Sequence, residues 1–532
     1  MAGRWRARGG SGHAVDPGRA VPSARARTDR ARPVCRGRPR CGARHTPGAD
    51  RRAGRAAATA PTGGPDAGCP RAGGGAMRTV CRFGLAALSA LAMLVGCAEQ
   101  ELTLPGARYD IDVPLDETVT AAEAGPVAVI STTAPEPQGS AAPIRLPAPV
   151  NHAAWTHRNG GVTHAIRHPA FATPPALQWA VPIGQGDTRR HRITASPVLA
   201  YGRIFTLDAR SGVMAHDARS GAALWQRGLT PAPDRARDAS GGKLAVAGNT
   251  VFATTGFGDI YALDVRTGAE RWRQRMDSPM GGGVTVSDGL VYTVTRNGRA
   301  VALDAATGRV RWDVPGTGAP AYMVGGPSPI VTDTLVVFPF ANGDLVAVLK
   351  KNGIRVWQAS VSGRAVGRSS AVITDITGDP VLSGGRVYAG SFAGRTIALD
   401  AASGERFWTA RIGAVAPVWP TGGSIFLVSP ENQLVRLDAA TGELIWRRDL
   451  PFFVKSNRRP DRWKEIYVHH GPVLAGGRLW LASSDGYLRG FDAISGGLVA
   501  AADLPGGAAS APIVVNGTMY VVSRDGRLLA YR

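Results

Sequence analysis

Few residues in this chain combine a reactive type with a spacing that could use it. Four histidines, His152, His157, His164 and His168, lie close together beside Trp155 and the pair Gly160-Gly161. Imidazole is a common metal ligand, but spacings of 5, 7 and 4 match no ligand motif, and no cysteine or acidic cluster accompanies them. They read instead as part of an ordered arm packed on the domain that follows. His469-His470 and the basic stretch KSNRRPDRWK at 455–464 are the remaining handles for a ligand, and a solvated loop explains them as well. Most acidic residues recur at one motif position, Asp217, Asp264, Asp304, Asp400, Asp438 and Asp492, where a turn role is sufficient. No Ser/His/Asp or metal constellation stands apart from the repeats. The sequence therefore predicts no catalytic, cofactor-binding or metal-binding residues.

What recurs is a turn followed by a strand. Aligned on Gly, the copies read HDARSGAALW ending at Trp225, LDVRTGAERW at Trp272, LDAATGRVRW at Trp312, VLKKNGIRVW at Trp357, LDAASGERFW at Trp408 and LDAATGELIW at Trp446. A seventh, FDAISGGLVA, has Ala500 at the Trp position. Successive Trp residues are 47, 40, 45, 51 and 38 apart, the period of a propeller blade. Asp can accept hydrogen bonds from the turn's own amides, and Gly supplies the positive φ the turn needs. The Trp then falls on the next strand, where an indole can wedge between packed sheets.

Two further strands precede each motif around a Gly turn, as in LVYTVTRNGRAVALD and RVYAGSFAGRTIALD, and a short one such as SPVLAYG precedes those. The unit is a four-stranded antiparallel blade. The last segment, SAPIVVNGTMYVVSRDGRLLAYR, supplies only three strands, while Trp179 sits on a strand with no blade of its own. Joining the two closes the ring and removes its free edges. The predicted fold is all-β: an eight-bladed propeller over 151–532 with an N-terminal arm, and Trp179, Trp225, Trp272, Trp312, Trp357, Trp408 and Trp446 as its structural repeat.

The formal charge of +22 suggests a nucleic-acid partner until it is located along the chain. Residues 1–76 hold sixteen Arg, no Lys, four Asp and no Glu, and so contribute +12 of it. This stretch of Arg, Gly, Ala and Pro cannot bury enough surface to fold. It also precedes a complete secretory signal, in which Met77 is followed by Arg78, Arg82 and the apolar run FGLAALSALAMLVG. Translation is thus expected to begin at Met77, with 1–76 a disordered leader outside the real start, and no nucleic-acid partner. The apolar run is too short for a membrane span, which takes about 20 residues. All five cysteines lie at or before Cys97, so the propeller needs no disulfide.

The run ends Leu94-Val95-Gly96-Cys97, which resembles the lipobox of bacterial lipoproteins. That resemblance implies a signal peptide over 77–96 and acylation of Cys97. Ala98 rather than Asp after the cysteine implies the outer membrane. Residues 97–150, rich in Ala, Pro, Thr and acidic side chains, read as a lipidated N-terminus and flexible tether.

The Asp-x-x-Thr/Ser-Gly-x-x-x-Trp repeat resembles that of the quinoprotein (PQQ) propeller superfamily over Trp179 to Arg532. With the lipobox, the short tether and eight blades, the chain is similar to the BamB lipoproteins of the β-barrel assembly machinery. The segments DITGDPVLSGGRVYAGSFAGRTIALD and PVWPTGGSIFLVSPENQLVRLD and the ending APIVVNGTMYVVSRDGRLLAYR carry this likeness. It implies a non-enzymatic scaffold on the periplasmic face of the outer membrane, binding no PQQ. The implied partners are a BamA-like barrel subunit, other components of that complex, the membrane through the lipid anchor, and unfolded barrel clients. The contact positions it implies are Tyr322, Met323 and Val324, in the loop 322–329, and Asp375. YMVGGPSP lacks a basic residue there, and Thr377 stands where a second Asp would strengthen the match. The alternatives are a PQQ-dependent dehydrogenase, whose vicinal disulfide a chain without cysteine after Cys97 cannot form, and a periplasmic sensor or peptide-binding propeller.

Overall fold

The computed structural model describes residues 143–532, apart from 239, 319–324, 362–374 and 455–463. Thirty-two strands form eight four-stranded antiparallel sheets, and in seven of them the strands follow chain order from the inside out. The innermost strands are short, such as Val198–Ala200 and Thr285–Ser287, and the two middle strands of each blade are almost wholly buried. Buried apolar side chains from facing sheets make the core: Phe205 and Val213 of blade 1 pack with Leu244, Val251 and Tyr261 of blade 2.

Blade 8 is shared between the chain's ends. Leu177–Pro182 pairs with Arg527–Tyr531, with Trp179 opposite Ala530 and Val181 opposite Leu528. Ala176 and Arg532 exchange two backbone hydrogen bonds of 2.9 and 3.0 Å where the ring closes. The sequence expectation of eight blades closed by the N-terminal strand is met in full.

The motif tryptophans occupy the outermost strands, and each indole reaches the next blade. Trp225 donates its indole N–H to the Val265 carbonyl (3.1 Å), Trp272 to Ala305 (2.9 Å) and Trp446 to Ile494 (2.7 Å). Trp179, Trp312, Trp357 and Trp408 make the same bond to Arg219, Lys350, Ala401 and Ala439. The ring lies flat on the receiving turn, so a Cβ at Gly268 would stand 2.6 Å from the Trp225 indole. Glycine there serves twice, allowing φ of +71° and leaving room for the indole. The turn aspartates bond as expected; Asp304 accepts from the amides of Ala306 and Thr307 at 3.1 and 2.9 Å.

This geometry accounts for Ala500. Its strand, Leu498–Asp503, is the outer strand of blade 7, and its neighbour is blade 8, whose third and fourth strands come from opposite ends of the chain. No turn joins them, so an indole at 500 would have no turn to dock on.

Candidate functional site

The arm containing the four histidines crosses the inner edges of the blades. Each innermost strand would otherwise present unpaired backbone amides toward the axis. Successive arm residues bond one such amide in each of blades 1 to 5, and turn amides just beyond the innermost strands of blades 7 and 8. Trp155 exchanges bonds with Leu199 of blade 1 (2.7 and 2.8 Å), and the Thr156 carbonyl takes the Val246 amide of blade 2 (2.8 Å). His157 Nε2 accepts the Val286 amide of blade 3 at 3.1 Å. The carbonyls of Val162 and Thr163 accept from Val331 of blade 4 and Leu382 of blade 5 at 3.0 and 2.9 Å. His168 and Pro169 serve Gly477 and Gly476 of blade 7, and the His152 carbonyl serves Asn516 of blade 8. Ile144 packs on the blade 6 turn so closely that a Cβ at Gly422 would lie 2.6 Å from it.

The histidines thus hold backbone. His168 donates from Nδ1 to the Pro147 carbonyl at 2.8 Å, and His164 from Nδ1 to Pro380 at 2.9 Å. Among the described residues no group of three or more His, Cys, Asp or Glu could hold a metal ion. Burial, with the neighbouring His164, pushes His157 down to about 3, and burial pushes His164 down to about 4 against the pull of Asp379. Both are neutral at physiological pH.

Beneath the arm lies a charged hub that the sequence reading missed. Asp379, 2% exposed, bonds the Lys243 ammonium (3.1 Å), the Arg158 guanidinium (3.2 Å) and the Ser328 amide (2.6 Å). It ties the arm to the segments entering blades 2, 4 and 5. Burial alone would raise its carboxyl, but Lys243 and Arg158 outweigh that and hold it below the usual carboxylate range. Lys243 is itself lowered by burial, with Asp379 opposing. The two cations keep the buried carboxylate ionised, so the hub is an anchor for the arm.

Asp375 lies close by. It was expected on an exposed partner loop, yet its side chain is 2% exposed and lines a small cavity with Arg296, Gly281, Gly326 and Pro327. The reason is local pairing: Ile376 bridges Ser391 of blade 5, which draws the residue before it inward. Tyr322, Met323 and Val324 lie outside the described residues, as do most of 455–464. His469 is buried and bonds Ser483 and the Pro451 carbonyl, so it too is structural. An open cleft of about 820 Å³ lies on the arm's side of blades 3–5, walled by Val162, Asp288, Asp333 and Lys350. Lys350, from the repeat copy that lacks its turn aspartate, pairs there with Asp288 at 2.7 Å.

Comparison with known proteins decides the kinship of this propeller. The family described as outer membrane protein assembly factor BamB matches residues 209–448 and 436–532. The chain belongs to the BamB family. The BamB of Xanthomonas campestris pv. campestris is 38% identical over 239 residues, covering 43% of this chain and 57% of that protein. The BamB of Shewanella oneidensis is 25% identical over 404 residues, covering 66% and 88%. The chain thus spans little more than half the length of the first relative and most of the second. Among solved structures, BamB from Moraxella catarrhalis superposes with a TM-score of 0.57 at 20% identity, covering 67% of this chain and 99% of that one. Quinohemoprotein alcohol dehydrogenase from Comamonas testosteroni reaches 0.54 at 15% identity, covering 71% and 80%. At those identities the likeness is one of fold, shared by scaffold and enzyme alike.

Proposed function

We propose that this chain is a non-enzymatic scaffold lipoprotein that assists assembly of β-barrel proteins into the outer membrane. What carries the reading is the family match across the propeller, from residue 209 to the C-terminus. In this reading translation starts at Met77, residues 77–96 are the signal, Cys97 bears the lipid, and 97–150 tether the propeller to the periplasmic face. The partner is a barrel subunit of the assembly complex, engaged through the loop that holds Tyr322, Met323 and Val324. Asp375, buried beside Gly326 and Pro327, suits a positioning part better than a contact.

Tagged full-length protein extracted from outer membranes tests this. It should co-purify with the barrel-assembly complex, and Tyr322→Arg with Met323→Arg should weaken that association, with an unchanged melting temperature as the control for folding. Intact mass should show a lipid on Cys97. Added PQQ with Ca²⁺ should not raise thermal stability; saturation at 100 times Kd would add about 2.7 kcal/mol, and such a shift with dye-linked alcohol oxidation would favour the dehydrogenase instead.

A further inference from the structure

Free strand edges invite pairing with other chains, and proteins blunt them with charge, proline or cover. Here the inner edges are covered by the arm. The outer strands are guarded in another way: Arg227, Arg271, Arg311, Arg355, Arg406 and Arg447 stand on those of blades 1 to 6, and Pro182 ends that of blade 8. Several of these blades also reach sideways, as Arg227 does to Glu270 (3.4 Å) and Arg448 to the Ser495 carbonyl (2.8 Å), and Arg355 bonds the Pro315 carbonyl. Among the eight outer strands, Leu498–Asp503 of blade 7, LVAAAD, alone has neither arginine nor proline. It is also the one that lost its tryptophan, and Leu498 and Val499 are left 56% and 50% exposed.

We propose that this edge of blade 7 is a strand-addition site for an extended, uncharged segment with alternating apolar side chains, such as a spanning strand of an unfolded barrel protein. Main-chain hydrogen bonds would supply affinity, and the small side chains of Ala500, Ala501 and Ala502 let an incoming strand approach. Charge selects both edge and occupant. A membrane-facing barrel strand carries an uncharged apolar row, which gains nothing from six arginine-bearing edges and at this one meets a single exposed carboxylate, Asp503, at the strand's end. The proposal rests on the assembly reading and names the client surface within it.

The test uses full-length protein in nanodiscs and a synthetic uncharged peptide of about ten residues, alternating Leu, Val and Tyr with Thr, Gln and Ser. Amide exchange should slow across 498–502 when the peptide is added. Val499→Arg with Ala501→Arg should weaken peptide binding about tenfold, whereas Leu224→Arg on blade 1 should not. Slowed exchange elsewhere on the ring overturns the proposal, and so does equal affinity in the blade 7 variant. Protection, before any peptide is added, of those amides of 498–502 that do not pair with Tyr487–Asp492 would assign the edge to the chain's own upstream residues, and a dimer abolished by the variant would assign it to a second copy; either sinks the client. Loss of co-purification with the assembly complex by the unmodified protein would instead refute the function above, so the two failures are separable.

Discussion

His157 and His164 are held neutral by burial, and that makes the arm sensitive to acid. Their folded values, about 3 and about 4, lie below the ordinary 6.5, so the unfolded chain takes up protons first and stability is lost as pH falls from about 6.5 toward 4. Each histidine should cost about 2 kcal/mol by about pH 5. Urea midpoints measured from about pH 7 down to 4.5 should fall accordingly, and His157→Gln, which keeps an acceptor for the Val286 amide, should flatten the slope. At the hub, Asp379→Ala would leave Lys243 and Arg158 buried without their counter-charge. A loss of about 3 to 5 kcal/mol is expected, read by denaturant titration; a change below 1 kcal/mol would mean the cations find solvent. Asp379 was invisible in the sequence because its partners are far away along the chain and none belongs to a motif. Asp375 was visible only through family likeness, which gave no sign that one bridge at Ile376 turns it inward.

The blade was legible to the residue, since turn aspartate, glycine and tryptophan repeat at fixed offsets and each makes the bond its type suggests. Which element receives the indole was not legible, because the docking partner lies one blade onward and about 40 residues away in sequence. Trp446→Ala should cost about 3 to 5 kcal/mol as a large-to-small change in a packed site. Gly268→Ala should cost more than about 1 kcal/mol, and less in a Trp225→Ala background, where the indole no longer stands over it. Additive losses in that thermal-denaturation cycle would mean the two residues do not touch in solution. The arm's path was equally unreadable. Its residues show no periodicity because they follow a ring of amides, not the face of a helix or sheet.

At the scale of the whole molecule, removing residues through Ala176 should destabilise the protein although all thirty-two strands remain, because the inner edges of the blades lose their acceptors. Lower melting temperature with increased aggregation at unchanged far-ultraviolet signal is the expected outcome. Basic residues exceed acidic ones by 43 to 28 over 143–532, and the outer strands carry about a third of that surplus, where it repels other edges. The excess therefore reads as protection from self-association, and high salt should increase aggregation by screening it.

The clasp of blade 8 also sets a clock. Every other blade is complete once its own stretch of chain has been made, but Leu177–Pro182 must wait for Arg527–Tyr531, the last strand of the chain. During synthesis the ring stays open until Arg527–Tyr531 has been made. A chain cut a few residues short would hold seven finished sheets and still fail as a ring, so a nascent or truncated copy is distinguishable from a finished one by that gap alone.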